Sequence, residues 1–312
     1  MTLTNIRFPE DNPFSRIKVR HIFGWLLLLT IGMGVQIGII SYTRGIKLDF
    51  KEPLISLIFG IYLSIFIVGL VWRQCRLAGI EIKYLVGKLP DRYQWLPLVC
   101  LAIASVVFTI SVFRIFYYPL SFIIPSFVEK ILIENRDTRI LITASTTFSP
   151  VLYYLISAIQ YCVVSPLFSG LFLCIILHRW AAKWGNIPAI IAFCLLYTIF
   201  GANFFISILI LTLTYLILYL RTRSLLVIIT FMALRNIVLT IWSLFQSVFV
   251  DNQTGSVLDI FRSQIQLSVL FFALSAPWVI GFIYKNWYVL KGPLPYFANA
   301  AEAEKIKADS ET

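Results

Sequence analysis

Few residues of this sequence could do chemistry, and most lie in one apolar stretch from Val163 to Trp242. Ser165, Ser169 and Cys174 are potential nucleophiles, while Asn203, Arg235 and Asn236 could bind a polar or anionic ligand. A serine or cysteine nucleophile needs an activating base, and no buried histidine or lysine is expected here to serve; the three read as packing residues or as side chains bonded to their own helix. The only histidines, His21 and His178, are both expected at the cytoplasmic ends of spans. From Thr138 through Val250 there is no Asp and no Glu. General-base chemistry by a carboxylate and a metal site of His and carboxylate are therefore both excluded from this stretch, and no cofactor is expected. Arg235 is the exception, because an ionisable residue inside a span marks a functional pathway or a buried pair. Its counter-charge could come from a lipid phosphate, a substrate carboxylate or a partner protein; the alternative is that it packs against backbone carbonyls or reaches a water-filled pocket.

The elements that must position these residues are membrane helices. The chain has 312 residues, 59% of them hydrophobic and 13% charged, with a mean hydropathy of +0.86. That composition belongs to an all-α polytopic membrane protein. About eight stretches approach the roughly 20 apolar residues a bilayer needs: residues 22–42, 54–72, 95–113, 150–177, 187–203, 204–220, 225–249 and 267–284. The fifth and sixth meet in a tight hairpin at Gly201, Ala202 and Asn203, so either could be a partial span. A net charge of +11 sets topology and contacts anionic lipid rather than nucleic acid, since Lys and Arg cluster at the ends of apolar runs. Of the 26 Lys and Arg, 17 fall on the side of the N-terminal arm, which predicts that both termini are cytoplasmic.

Smaller signals complete the reading. The N-terminal lead is expected to be retained rather than cleaved, and the five cysteines are expected to be small core residues. Gly34 and Gly38 would let a neighbouring helix approach, within the chain rather than from a second copy. Residues 73–94 read either as a segment along the cytoplasmic lipid surface or as a solvated loop. Residues 114–147, with Tyr117, Tyr118, Pro119 and Pro125, read as a segment that dips into the outer interface and returns as a short amphipathic helix, which either restricts access to a central cavity or merely covers helix ends. Pro166 should kink its span and free a carbonyl that must find another donor. Asn186 and Pro188 read as N-cap and first-turn proline, and the tail as polar and mobile. The domains expected are an N-terminal arm (1–21), N-terminal spans with interfacial loops (22–147), a core (148–249), a last loop and span (250–290) and a polar tail (291–312).

The order of ILHRWAAKWG, NIPAII, the GAN hairpin, LYLRTRSLL and MALRN resembles the CPBP family, the CAAX prenyl endopeptidase and bacterial immunity-type intramembrane proteases, over roughly Val163 to Leu239. The resemblance implies a CPBP-like core with an intramembrane cavity, where a Glu-Glu-x-x-x-Arg helix, a Phe-x-x-x-His and a His-x-x-x-Asn or Asp activate a water. Here the glutamate pair falls on Phe168 and Ser169, the arginine on Leu173, the aromatic on Tyr197, and the two histidines on Gly201 and Met232. Asn236 alone matches its motif. The resemblance thus points to a pseudoenzyme, a protease homologue that binds a hydrophobic peptide, a lipidated segment or a membrane-protein partner. Two alternatives stand beside it: an active CPBP-type endopeptidase with an atypical site, and a small transporter or lipid-handling protein that uses Arg235. It also implies the plasma or thylakoid membrane of a photosynthetic bacterium.

Overall fold

The computed structural model describes residues 12–44, 53–90, 93–133, 155–156, 158–200, 205–249 and 256–311, and every regular element among them is helical. The helices are α1 (Val19–Arg44), α2 (Pro53–Ala78), α3 (Ile82–Val86), α4 (Trp95–Ile123), α5 (Ser165–Trp184), α6 (Asn186–Phe200), α7 (Phe205–Thr222), α8 (Leu225–Phe249), α9 (Val257–Ser263), α10 (Ile265–Asn286) and α11 (Pro295–Glu311). A further helical stretch covers 125–133. Among the described residues seven helices are long and apolar enough to cross a membrane, so the chain is an all-α, multi-pass membrane protein. The eighth expected span is α6, whose 15 residues reach about 22 Å at 1.5 Å each, short of a hydrocarbon core of about 30 Å.

The bundle is welded at one end. Phe14 of the N-terminal arm is fully buried, held by a short 3-10 turn that Asn12 caps through its side-chain oxygen, 3.0 Å from the Phe14 amide. The Arg179 Nε donates to the Ile17 carbonyl at 2.7 Å, fixing the arm against α5. From the other end of the chain, Leu294 and Tyr296 enter the same core, and Phe14 meets the Tyr296 ring edge-on at 5.0 Å. The turn after α7 joins them: Arg223 adopts a left-handed φ of 53°, its amide bonds the Tyr219 carbonyl, and its carbonyl accepts from Asn299 Nδ2 at 3.0 Å. This end carries Arg179, Lys183, Arg221, Arg223 and Lys285. The exposed Trp95, Trp184, Trp287 and Tyr288 lie at its helix ends, as aromatic residues do where a helix leaves the bilayer.

Several local expectations are corrected. Of residues 73–94, those described up to 90 are neither a surface segment nor a free loop: Cys75, Ala78, Ile80 and Leu85 are buried in the main core, because short turns at Gly79 and Gly87 fold α3 back under the bundle. The polar tail is a helix anchored by Leu294, Tyr296 and Phe297. Asn299 clips it to the Tyr84 carbonyl at 2.9 Å. Residues 114–123 simply continue α4, which accommodates Pro119 and stops at Ile124, the residue before Pro125. There Arg262 of α9 donates to the Ser121 carbonyl, and Phe261 packs with Tyr117, Val128 and Ile131 to cover the helix end. Asn186 does not cap α6 with its side-chain oxygen, which has no hydrogen-bond partner; its amide instead donates to Gly292 O at 2.8 Å. A Cβ added at Gly34 or Gly38 would meet nothing within 4 Å, so no helix among the described residues approaches α1 there.

Candidate functional site

The centre of interest lies where a π-helical turn, Gln160–Val164, faces the middle of α8. The turn follows from one proline. In its register Ser165 donates to the Gln160 carbonyl, five residues back. The next donor would be residue 166, which is Pro166 and has no N–H. The Tyr161 carbonyl is thereby left without its helical partner, and Asn236 Nδ2 reaches it from α8 at 2.5 Å. The freed carbonyl expected from the sequence is real, and its donor is the one residue that matches the protease motif. Asn236 is thus engaged with backbone, and its Oδ1 accepts from Arg235 Nη1 at 3.3 Å.

This pairing yields a direct test. Asn236→Leu is expected to lower stability by about 1–2 kcal/mol, because it orphans a carbonyl within a membrane span, where no water can replace the lost donor. In a Pro166→Ala background the restored amide can serve Tyr161, and the same substitution should cost at least about 0.5 kcal/mol less. Equal losses in the two backgrounds, measured by unfolding in detergent, would break the link between Pro166 and Asn236.

Arg235 sits ten residues into α8, about 15 Å from the welded end and hence near the bilayer midplane. Besides Asn236, it lies beside the neutral Tyr215 side chain, which is buried and meets Phe231 edge-on at 5.5 Å. Its Nε is buried without a hydrogen-bond partner, as is Gln160 Oε1 on the facing turn. Gln160 lies so close to α2 that a Cβ on Gly60 would be 2.0 Å from its amide nitrogen. On the same stripe of α8, three and seven positions on, Val238 and Trp242 line an apolar cavity of about 290 Å³ with Val106, Ile110 and Phe271. The site is thus a cation one helical turn before an apolar cavity that it does not itself line.

The other motif positions are filled by packing. Leu173 is fully buried and Met232 nearly so, with Phe168 and Tyr197 packed on the same core. Phe168 stacks on Phe172 at 5.8 Å, and Tyr197 on Phe193 at 5.9 Å. Ser169 is half-buried on α5, beside Gly170, where α8 approaches closely enough for an added Cβ to meet Ile229 at 3.0 Å. Gly201 and Asn203 fall outside the described residues. Among the described residues no group of three His, Cys, Asp or Glu side chains could hold a metal.

His178 differs from its expectation: it is at a span end but completely buried, one helical turn after Cys174. A Cys–His pair at that spacing suggests a nucleophile with its base, yet both ring nitrogens are committed. Nδ1 lies 2.6 Å from the Cys174 carbonyl and must donate to it, and Nε2 accepts from the Tyr296 amide at 3.4 Å. Phe14 stacks on the ring at 4.7 Å. Cys174 is itself fully buried, beside Tyr219. These residues join helix ends.

No protein-family model, curated protein or solved structure matches the chain.

Sequence reasoning found Arg235, Asn236 and Pro166 but not Tyr215, Gln160 or the cavity beyond Arg235. The five-residue offset from Tyr161 to Pro166 was the one available signal, and it becomes readable only once the turn is known to be π-helical.

Proposed function

We propose that the chain is a non-catalytic relative of the CPBP intramembrane proteases that binds a hydrophobic peptide or lipid-modified segment by its carboxylate at Arg235. The observation that carries this reading is a midplane guanidinium whose hydrogen-bond partner, Asn236, is neutral and whose buried Nε has no partner among the described residues, one helical turn before an apolar cavity. A charge at that depth costs about 2.5–3.5 kcal/mol on insertion scales, and an anionic ligand offsets this. The absence of acid from Thr138 to Val250 and the packing of Leu173 and Met232 support binding over hydrolysis. The Lys and Arg excess assigns the welded end, with both termini, to the cytoplasm, and the family resemblance suggests the plasma or thylakoid membrane of a photosynthetic bacterium.

The test uses the full chain in mild detergent and a fluorescent isoprenylated peptide with either a free C-terminal carboxylate or an amide. The free acid should bind at least about tenfold tighter, about 1.4 kcal/mol, Arg235→Gln should abolish that preference, and the peptide should be recovered uncut. Equal binding of acid and amide would refute the carboxylate site. Cleavage that is lost in Arg235 or Asn236 variants would restore the endopeptidase reading. A transporter of lipid-like anions would also use Arg235, and uptake unchanged by Arg235→Ala would remove that alternative.

A further inference from the structure

A second, larger opening lies at the welded end, away from Arg235. It is a cleft of about 720 Å³ between the start of α4, the last turns of α7 and the last turns of α10, within the range of about 300–1,000 Å³ typical of small-molecule sites. Its lining changes character with depth. Arg221, Lys285 and Gln94 stand at the mouth, and Leu98, Leu101 and Phe282 lie further in. Among the described residues the lining includes no Asp or Glu, and neither Arg221 nor Lys285 is in an ion pair there. Of the other polar side chains, Thr222 donates to Leu218 O at 2.8 Å and Asn286 to Phe282 O at 2.7 Å, while Tyr93 and Trp278 add neutral donors to the lining. The cleft therefore offers two cations at its mouth and hydrocarbon behind them.

Its position in the membrane decides what would complement this. Trp95 and Trp287, both exposed, flank the helix ends that form the mouth, which places the two cations at headgroup level. From Lys285 to Pro277 the wall of α10 extends about 12 Å towards the bilayer centre. Gly281 leaves this wall open, since a Cβ there would meet nothing within 4 Å. The geometry points to a binding site for one anionic phospholipid, with its phosphate between Arg221 and Lys285 and an acyl chain along Leu101, Pro277 and Phe282. This site is independent of Arg235 and of the function proposed for it.

The full chain is reconstituted into phosphatidylcholine nanodiscs containing a minority of phosphatidylglycerol, extracted gently, and its retained lipid identified by native mass spectrometry. Retention of a single phosphatidylglycerol is expected. The Arg221→Gln/Lys285→Gln protein should lose it by about thirtyfold, the combined effect of two basic residues at a lipid surface. Lys291→Gln/Lys305→Gln, with the same charge change outside the cleft, should retain it. Gly281→Leu fills the cleft while leaving both cations in the sequence, favours the helix, and should also expel the lipid. Excess inorganic phosphate should leave the lipid in place. The assignment is overturned if phosphatidylcholine is retained equally, if the outside pair loses as much as the cleft pair, if Gly281→Leu keeps its lipid, or if phosphate alone displaces it.

Discussion

Gly87→Ala is expected to be among the most damaging single substitutions in the chain, costing about 3 kcal/mol or more and lowering the apparent unfolding temperature by several degrees. Two effects combine. Gly87 ends α3 at a φ of 68°, where side chains are strained. A Cβ there would also lie 2.0 Å from the Arg223 carbonyl oxygen, a backbone atom that Asn299 holds in place. Because the obstacle is backbone, it cannot swing aside. Gly79 provides the control, with a φ of 72° but nothing within 4 Å of the added Cβ. Gly79→Ala should therefore show the conformational strain alone, about 1 kcal/mol. Differential scanning of the two variants in one detergent separates strain from collision, and a Gly87→Ala protein that unfolds with Gly79→Ala would show that the turns of α3 and α7 can part.

His178→Ala is the second large effect. The ring fills a fully enclosed space between Phe14, Tyr219 and Tyr296, and truncating a side chain of that size in a core costs about 2–5 kcal/mol. The substitution also strips the Tyr296 amide of its acceptor, worth about 1–3 kcal/mol if it is left unpaired. His178→Phe separates the two terms, since it restores an aromatic ring against Phe14 and supplies neither nitrogen. The expected order of stability is native, then Phe, then Ala, with protease cleavage near Phe14 rising in the same order. If the Ala protein protects its N-terminal arm as well as the native protein does, His178 is not the joint between the arm and the tail.

Much of the architecture could be read from the sequence because the bilayer imposes one crude requirement, a run of apolar residues of sufficient length, and the chain meets it repeatedly. What escaped depends on contacts between distant segments. Leu294, Tyr296 and Phe297 are too few to stand out in a polar tail, and their burial exists only because α3, the N-terminal arm and the turn at Arg223 surround them. Ile80 and Leu85 were visible as apolar but not as core, since a membrane surface would satisfy them equally well. Pro119 and Pro125 looked alike, yet α4 carries one and ends before the other. At the candidate site, the chemistry of Arg235 was legible from its type and position. The role of Asn236 was not, because its partner is a carbonyl whose availability depends on the π-helical register.

The burial of Phe14 also constrains the order of assembly. Its enclosing partners, Tyr296 and Phe297, lie nearly a full chain length away, and during synthesis the ribosome must pass them before that pocket exists. Every earlier helix can enter the bilayer and pair while the assembly at the welded end remains unfinished, with Phe14, Leu85 and Tyr219 lacking their final cover. Closure of the bundle is then a late, long-range step, of the kind that loop-closure entropy makes slow and that leaves apolar surface exposed in the interim. A nascent chain stalled just short of Leu294 would have all its spans and still offer a quality-control protease an open end.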